Sequence, residues 1–135
     1  MYLFPPIKRL RGIIFWTFSV FIISAQDLPV ILATKTEPTE TGLKIEFQLS
    51  SYIERADISS WIEQDKWFIL NFYNIIRPAE NFFDEIIGYP IRDLQQTWSQ
   101  NSLQLSMQIN RSIGIFDVIL HDQGRKVLII LTYSD

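Results

Sequence analysis

From Leu43 onward, apolar and polar residues alternate with a period of two. Leu43, Ile45, Phe47 and Leu49 are interleaved with Lys44, Glu46, Gln48 and Ser50. Successive side chains of an extended chain point to opposite faces, so this segment predicts a half-buried strand. Residues 58–62 and 67–73 flank the polar run Glu63-Gln64-Asp65-Lys66 and predict a hairpin. The second arm, WFILNFY, is apolar on both faces, which predicts a central strand covered on both sides. A second hairpin is predicted from residues 94–98 and 103–109, closing around Ser99-Gln100-Asn101-Ser102. In its second arm Leu103, Leu105, Met107 and Ile109 face one way, and Gln104, Ser106 and Gln108 the other. Residues 116–120 and 127–133 predict the last hairpin, around His121-Asp122-Gln123-Gly124-Arg125. Gly124 supplies the φ > 0 position that such a loop needs.

Two stretches depart from this period. Residues 75–89, IIRPAENFFDEIIGY, carry Phe82, Phe83, Ile86 and Ile87 at helix-like spacing, and Gly88 and Pro90 would stop any helix there. This is read as one short helical or irregular connection. Residues 34–42, TKTEPTETG, are polar, contain Pro38 and Gly42, and read as the end of an exposed leader spanning 26–42. Phe47, Ile69, Phe72, Leu105 and Ile129 are assigned to the core. Six or seven short strands joined by tight turns predict an all-β domain over 43–135, a small β-sandwich of two short sheets. The strands are too few and too short for an outer-membrane barrel.

The N-terminus is of another kind. Residues 1–12 hold Lys8, Arg9 and Arg11 and no acid; residues 13–23, IIFWTFSVFII, carry no charge, and Ser24-Ala25 follows. That order reads as a secretory signal peptide over 1–25, entering as an N-terminal signal helix. A spanning helix needs about 18 or more apolar residues, and this run of eleven is too short, so a cleaved signal is the reading and retention as an anchor the alternative. Cleavage after Ala25 makes Gln26 the new N-terminus. Loss of Lys8, Arg9 and Arg11 takes the formal charge from −3 to −6. So acidic a surface argues against nucleic acid or anionic lipid as the main partner, since both need clustered Lys and Arg. The chain has no cysteine, which excludes disulfides and a Cys-anchored lipoprotein. The expected location is the periplasm or another exported position in a bacterial cell envelope.

Few residues offer chemistry. His121 is the only histidine, so any zinc site or His-based dyad would have to use it. It falls in a predicted turn and reads as a solvated turn residue. Asp84-Glu85 is a pair of neighbouring carboxylates, but adjacent side chains on a short helix diverge, and the pair reads as solvated. The five glycines are isolated, so no phosphate loop is present. Asn110-Arg111-Ser112 matches a glycosylation sequon, a tripeptide common by chance. The expectation is a protein with no catalytic residue, metal or cofactor. The aromatics are more suggestive: Trp61, Trp67 and Trp98 with Tyr52, Tyr73, Tyr89 and Tyr133. Flat rings stack on sugars, though they also fill sandwich cores. Trp67 opens the two-sided apolar strand and is assigned to the core. Trp98, beside Gln95, Gln96, Ser99 and Gln100, is expected to be the most exposed. Trp98, Gln96 and Trp61 are therefore the candidate ligand-binding residues.

In hairpin order the chain resembles the AMIN domain, a module at the N-terminus of periplasmic N-acetylmuramoyl-alanine amidases and of type IV pilus secretins. The likeness runs from about Leu43 to Tyr133 through LKIEFQLS, QDKWFILNFYNI, IRDLQQTWSQNSLQLSMQIN and FDVILHDQGRKVLIILTY. In the family the apolar arm reads like Pro-x-Arg-hydrophobic-x-hydrophobic-Asp-hydrophobic. Here Asp65-Lys66-Trp67 stands at the opening, and Asn71 takes the place of the aspartate. The resemblance implies a two-sheet sandwich without catalytic residues that binds peptidoglycan or another envelope protein. An alternative reading is an accessory subunit of an envelope, pilus or secretion complex that docks through a sheet edge. An exposed row of Trp and polar amides would favour wall binding, and an uncovered apolar edge strand would favour docking.

Overall fold

The computed structural model describes residues 28–78, 82–83 and 86–134. The signal segment and the Asp84-Glu85 pair lie outside the described residues. Eight strands follow in chain order: β1 Ile31–Pro38, β2 Gly42–Leu49, β3 Ile58–Glu63, β4 Trp67–Tyr73, β5 Ile91–Ser99, β6 Ser102–Ile109, β7 Ile113–His121 and β8 Lys126–Tyr133. They make two four-stranded antiparallel sheets, ordered β1-β2-β8-β7 and β3-β4-β6-β5. The fold is all-β, with the expected hairpins β3–β4, β5–β6 and β7–β8.

The turns explain why these hairpins close where they do. Gln64 and Asp65 take φ of 52° and 65° between β3 and β4, and Gln100 takes 53° between β5 and β6. Between β7 and β8 three residues in a row are left-handed, ending at Gly124 with φ 87°. Gly124 is needed twice over. An added Cβ would lie 2.6 Å from the Ile53 carbonyl oxygen, and the Ile53 N–H donates to the Gly124 carbonyl at 2.8 Å. Gly42 opens β2 for a related reason, since a Cβ there would run into the Leu131 carbonyl of β8.

The core lies between the sheets. β2, β6 and β8 bury every second residue, the period-two signature of a strand with one face covered. β4 is central and buried from Phe68 to Phe72. Phe72 meets Phe47 of β2 edge to face at 5.2 Å, and Phe68 meets Phe116 of β7 at the same distance. β4 therefore reaches from one side of the facing sheet to the other, tying the layers together.

Two expectations are corrected. Residues 31–38 do not form a leader; they are edge strand β1, paired to β2 from Ile31 to Pro38. Ile31 enters the core opposite Leu49, but past the bulge that follows it the inward positions of β1 are Thr34, Thr36 and Pro38, opposite Phe47, Ile45 and Leu43, so no apolar alternation marks the rest of the strand. Its Pro38 is tolerable because an edge strand has one unpaired side. Ile69 is buried as expected but not in the central core. It points to the outer face of its sheet, because Phe68, Leu70 and Phe72 take the inner one. In the long connection Ile75, Phe83 and Ile86 are buried and Ile87 is exposed.

Candidate functional site

The outer face of the second sheet collects what the sequence scatters. Since β4 turns Phe68, Leu70 and Phe72 inward, Trp67, Ile69, Asn71 and Tyr73 must turn outward. The register sets them in rows across the sheet. Glu63, Trp67, Gln108 and Asp93 form one row, and Trp61, Ile69, Ser106 and Gln95 the next. Ser59, Asn71, Gln104 and Thr97 follow, and Tyr73, Ser102 and Ser99 close the face. At strand spacings of about 4.8 Å, and about 6.7 Å between same-face residues, the rows cover roughly 14 by 20 Å.

Trp61 and Tyr73 are each 41% exposed, Trp67 is half-buried, and Ile69 and Asn71 are buried between them. A fixed polar group stands beside the rings. The Asn71 side-chain amide donates to the Ser59 hydroxyl at 3.2 Å, and that hydroxyl shares a 3.2 Å hydrogen bond with the Tyr73 phenol. Among the described residues no side-chain hydrogen bond engages Gln95, Gln104, Ser106 or Gln108. Their donors and acceptors remain open to water or ligand. Within the paired rows of described residues the charges are Glu63 and Asp93, both in the row at one end, where the bulged Arg92 lies beside Asp93.

Of the candidates named from sequence, Trp61 lies on this face and the other two do not. Trp98 pairs with Leu103 and Gln96 with Leu105, both core residues, so Trp98 and Gln96 point inward. Trp98 is half-buried against the core. Its indole N–H donates to the Gln96 side-chain oxygen at 3.1 Å, and the Arg77 guanidinium stands 5.4 Å from its ring centroid. Both its polar edge and its open face are already occupied. Trp67, assigned to the core, is instead on the outer face. The residues missed from sequence as site candidates are Tyr73, Asn71 and Ser59; the available signal was parity, since Asn71 and Tyr73 alternate with Trp67 along β4 and Ser59 with Trp61 along β3.

Other regions offer less. His121 is the exposed last residue of β7. Two shallow hollows, of about 270 and 250 Å³, are lined by Tyr52, Glu54, Asp57 and Asn74 and by Lys35, Glu37, Lys44 and Glu46 among others. In the first, the Asn74 amide donates to the Asp57 carboxylate at 3.1 Å. Burial pushes the Tyr133 phenol above its ordinary pKa, Tyr89 adds to this, and Arg111, 4.3 Å over the Tyr133 ring, opposes it. No group of three or more His, Asp or Glu placed to hold a metal occurs among the described residues. No helix among them is long and apolar enough to cross a membrane. A scan against protein-family models and a search of curated proteins both return no match for the chain.

Proposed function

We propose that the chain is a non-catalytic binding or localisation module of the bacterial envelope, exported to the periplasm, that associates with peptidoglycan through the outer face of its second sheet. One observation carries the reading: Trp61, Trp67 and Tyr73 share a nearly uncharged face with a row of amides and hydroxyls. Aromatic rings give sugars an apolar platform. Amides and hydroxyls both donate and accept, as a hydroxyl-rich ligand requires. The likeness in hairpin order to AMIN domains supports the same class of ligand.

The test is sedimentation of the purified chain with isolated peptidoglycan. Wild type should pellet with the wall, and moderate salt should not release it, because the face holds few charges to screen. A Trp61→Ala/Tyr73→Ala variant should stay in solution while remaining folded, its melting temperature lowered only modestly. Wild-type protein that never pellets, or a double variant that pellets equally well, would remove the proposal. Export has its own check. Protein from the envelope fraction should begin at or near Gln26.

The second reading, an accessory subunit docking through a sheet edge, also has a specific observation behind it. One edge strand, β7, is largely apolar, and among the described residues no strand pairs with its free side.

A further inference from the structure

The four edge strands are unequally protected. Exposed edges recruit other strands unless charge, proline, bulges or cover prevent it. β1 carries Lys35, Glu37 and Pro38. β3 has six residues, with Glu63 at its end. β5 carries Arg92 and Asp93 and a bulge, and Arg77 lies over its Trp98. β7, IGIFDVILH, has nine residues, no Lys or Pro, and one charge, Asp117, before its terminal His121. Its bulge is confined to Ile113–Ile115, leaving residues 116–121 in regular register with β8. Among the described residues, that segment forms no backbone hydrogen bond outside its pairing with β8. Phe116, Val118 and Leu120 point at the core yet stay half-exposed, because among the described residues no strand lies beyond them. On the outer side Ile115 is 64% exposed.

We propose that β7 pairs antiparallel with β7 of a second copy, joining two first sheets into one sheet of eight strands. The occupant is argued from the strand's own complementarity. With the two-fold axis at Ile119, Asp117 lies opposite His121 of the other copy, twice. Val118 then meets Leu120 on the inner side, and Ile119 meets itself on the outer. An axis at Asp117 would set two carboxylates against each other, a destabilising cross-strand pair. An axis at Val118 would place Asp117 against Ile119 and leave it without a polar partner. The Ile119 axis is the register that matches the strand's one carboxylate to its one imidazole.

This pairing has a consequence for the face described above, resting on the function proposed for it. Inner residues pair with inner residues, so the two second sheets lie on the same side of the joined sheet. Both Trp61 faces then look the same way, and two weak contacts to one polymer add as avidity. The pairing itself stands apart from that function: mass in solution tests the first, and sedimentation with peptidoglycan by a Trp61 variant tests the second.

The experiment is sedimentation equilibrium of the purified chain over a concentration series. Wild type should reach twice the monomer mass. Ile119→Lys sets two ammonium groups against each other on the axis and should halve the mass while leaving the circular dichroism unchanged. Asp117→His alone, at an exposed position, should weaken the dimer, and the swap Asp117→His/His121→Asp should restore it. A wild-type chain that is monomeric throughout overturns the proposal, as does an Ile119→Lys variant that stays dimeric. Crosslinking in cells that joins β7 to a different envelope protein, with no self-crosslink, assigns the edge to a heterologous strand and overturns it as well.

Discussion

The sandwich has two outer faces built from the same period, and the β1–β2 half of the first contrasts with the second. In that half Lys35 stands opposite Glu46, and Glu37 opposite Lys44, so that charges of opposite sign alternate, while the β8–β7 half turns Leu128, Ile130 and Ile115 outward. Such pairs hold two strands in register by a few tenths of a kcal/mol and otherwise belong to water. On the second sheet the equivalent positions are Trp61, Ile69, Ser106, Asn71 and Gln104. Two tryptophans and a tyrosine around a buried asparagine are the platform on which the proposed function rests. The period decides which residues share a face, and the residue types decide what the face is for. The contrast can be broken at the core, which supports both faces, or sharpened at single positions on each.

The largest effect is expected at the shared support. Phe72 is fully buried and packs edge to face on Phe47 across the two sheets. Phe72→Ala should cost about 3–5 kcal/mol, a large part of the stability of an ordinary domain, and both faces should be lost together in a denaturant melt. Trp98 should come next. Its ring packs half-buried against the core beneath Arg77, so Trp98→Ala should cost about 1–3 kcal/mol, less than a fully buried ring. In the folded variant, sedimentation with peptidoglycan should be unchanged. Loss of binding at full stability would place the ligand on the inner edge instead.

Trp98 also shows how far the sequence could be read. The hairpins and the sandwich follow from alternation of two, and the central position of β4 from its lack of alternation. The same alternation puts Trp98 on the side of Leu94, two positions of equal parity from it, and that side is the core. Its polar neighbours in sequence suggested an exposed ring, but adjacent residues of a strand lie on the opposite face and say nothing of the face that Trp98 shares with Gln96. Trp67 was misplaced for a related reason. An arm apolar on both sides does not say which parity faces inward, and the polar Asn71 among the odd residues was the available clue. β1 was not legible at all. Its inward Thr34 and Thr36 are apolar only in their methyl groups, so nothing but the strand preference of β-branched residues marked it. Which residues meet across strands is set by register, and that is why the pairing of Ser59, Asn71 and Tyr73 had to come from the structure.

A smaller effect on stability, with a large effect on binding, is expected at Trp61. It is exposed and on an edge strand, so Trp61→Ala should lower stability by no more than about 1 kcal/mol. Its removal uncovers Ile69 and takes one ring from the platform. Peptidoglycan sedimentation should fall while the melting temperature stays within a few degrees of wild type. Tyr73→Phe sharpens this further, because it keeps the ring and removes the hydroxyl that bonds to Ser59. Intermediate binding by this variant would assign part of the affinity to the polar group.

The smallest effect is expected on the other face, and it is the control that gives the comparison its meaning. Lys44 is exposed on β2, with Glu37 opposite on β1 and Ile130 opposite on β8. Replacing it with alanine removes one cross-strand charge pair in full contact with water. Exposed pairs of this kind contribute little because the solvent already screens them. Lys44→Ala should therefore change stability by less than about 0.5 kcal/mol, and peptidoglycan sedimentation should not change. The measurement is discriminating because Lys44 is one of the few basic groups on an acidic protein. If the wall were held by its carboxylates reaching for cations, this variant would bind more weakly, and added salt would mimic it. Equal binding by Lys44→Ala and wild type, beside the loss at Trp61, would fix recognition to the aromatic face. A deficit at Lys44 with none at Trp61 would exchange the roles of the two faces.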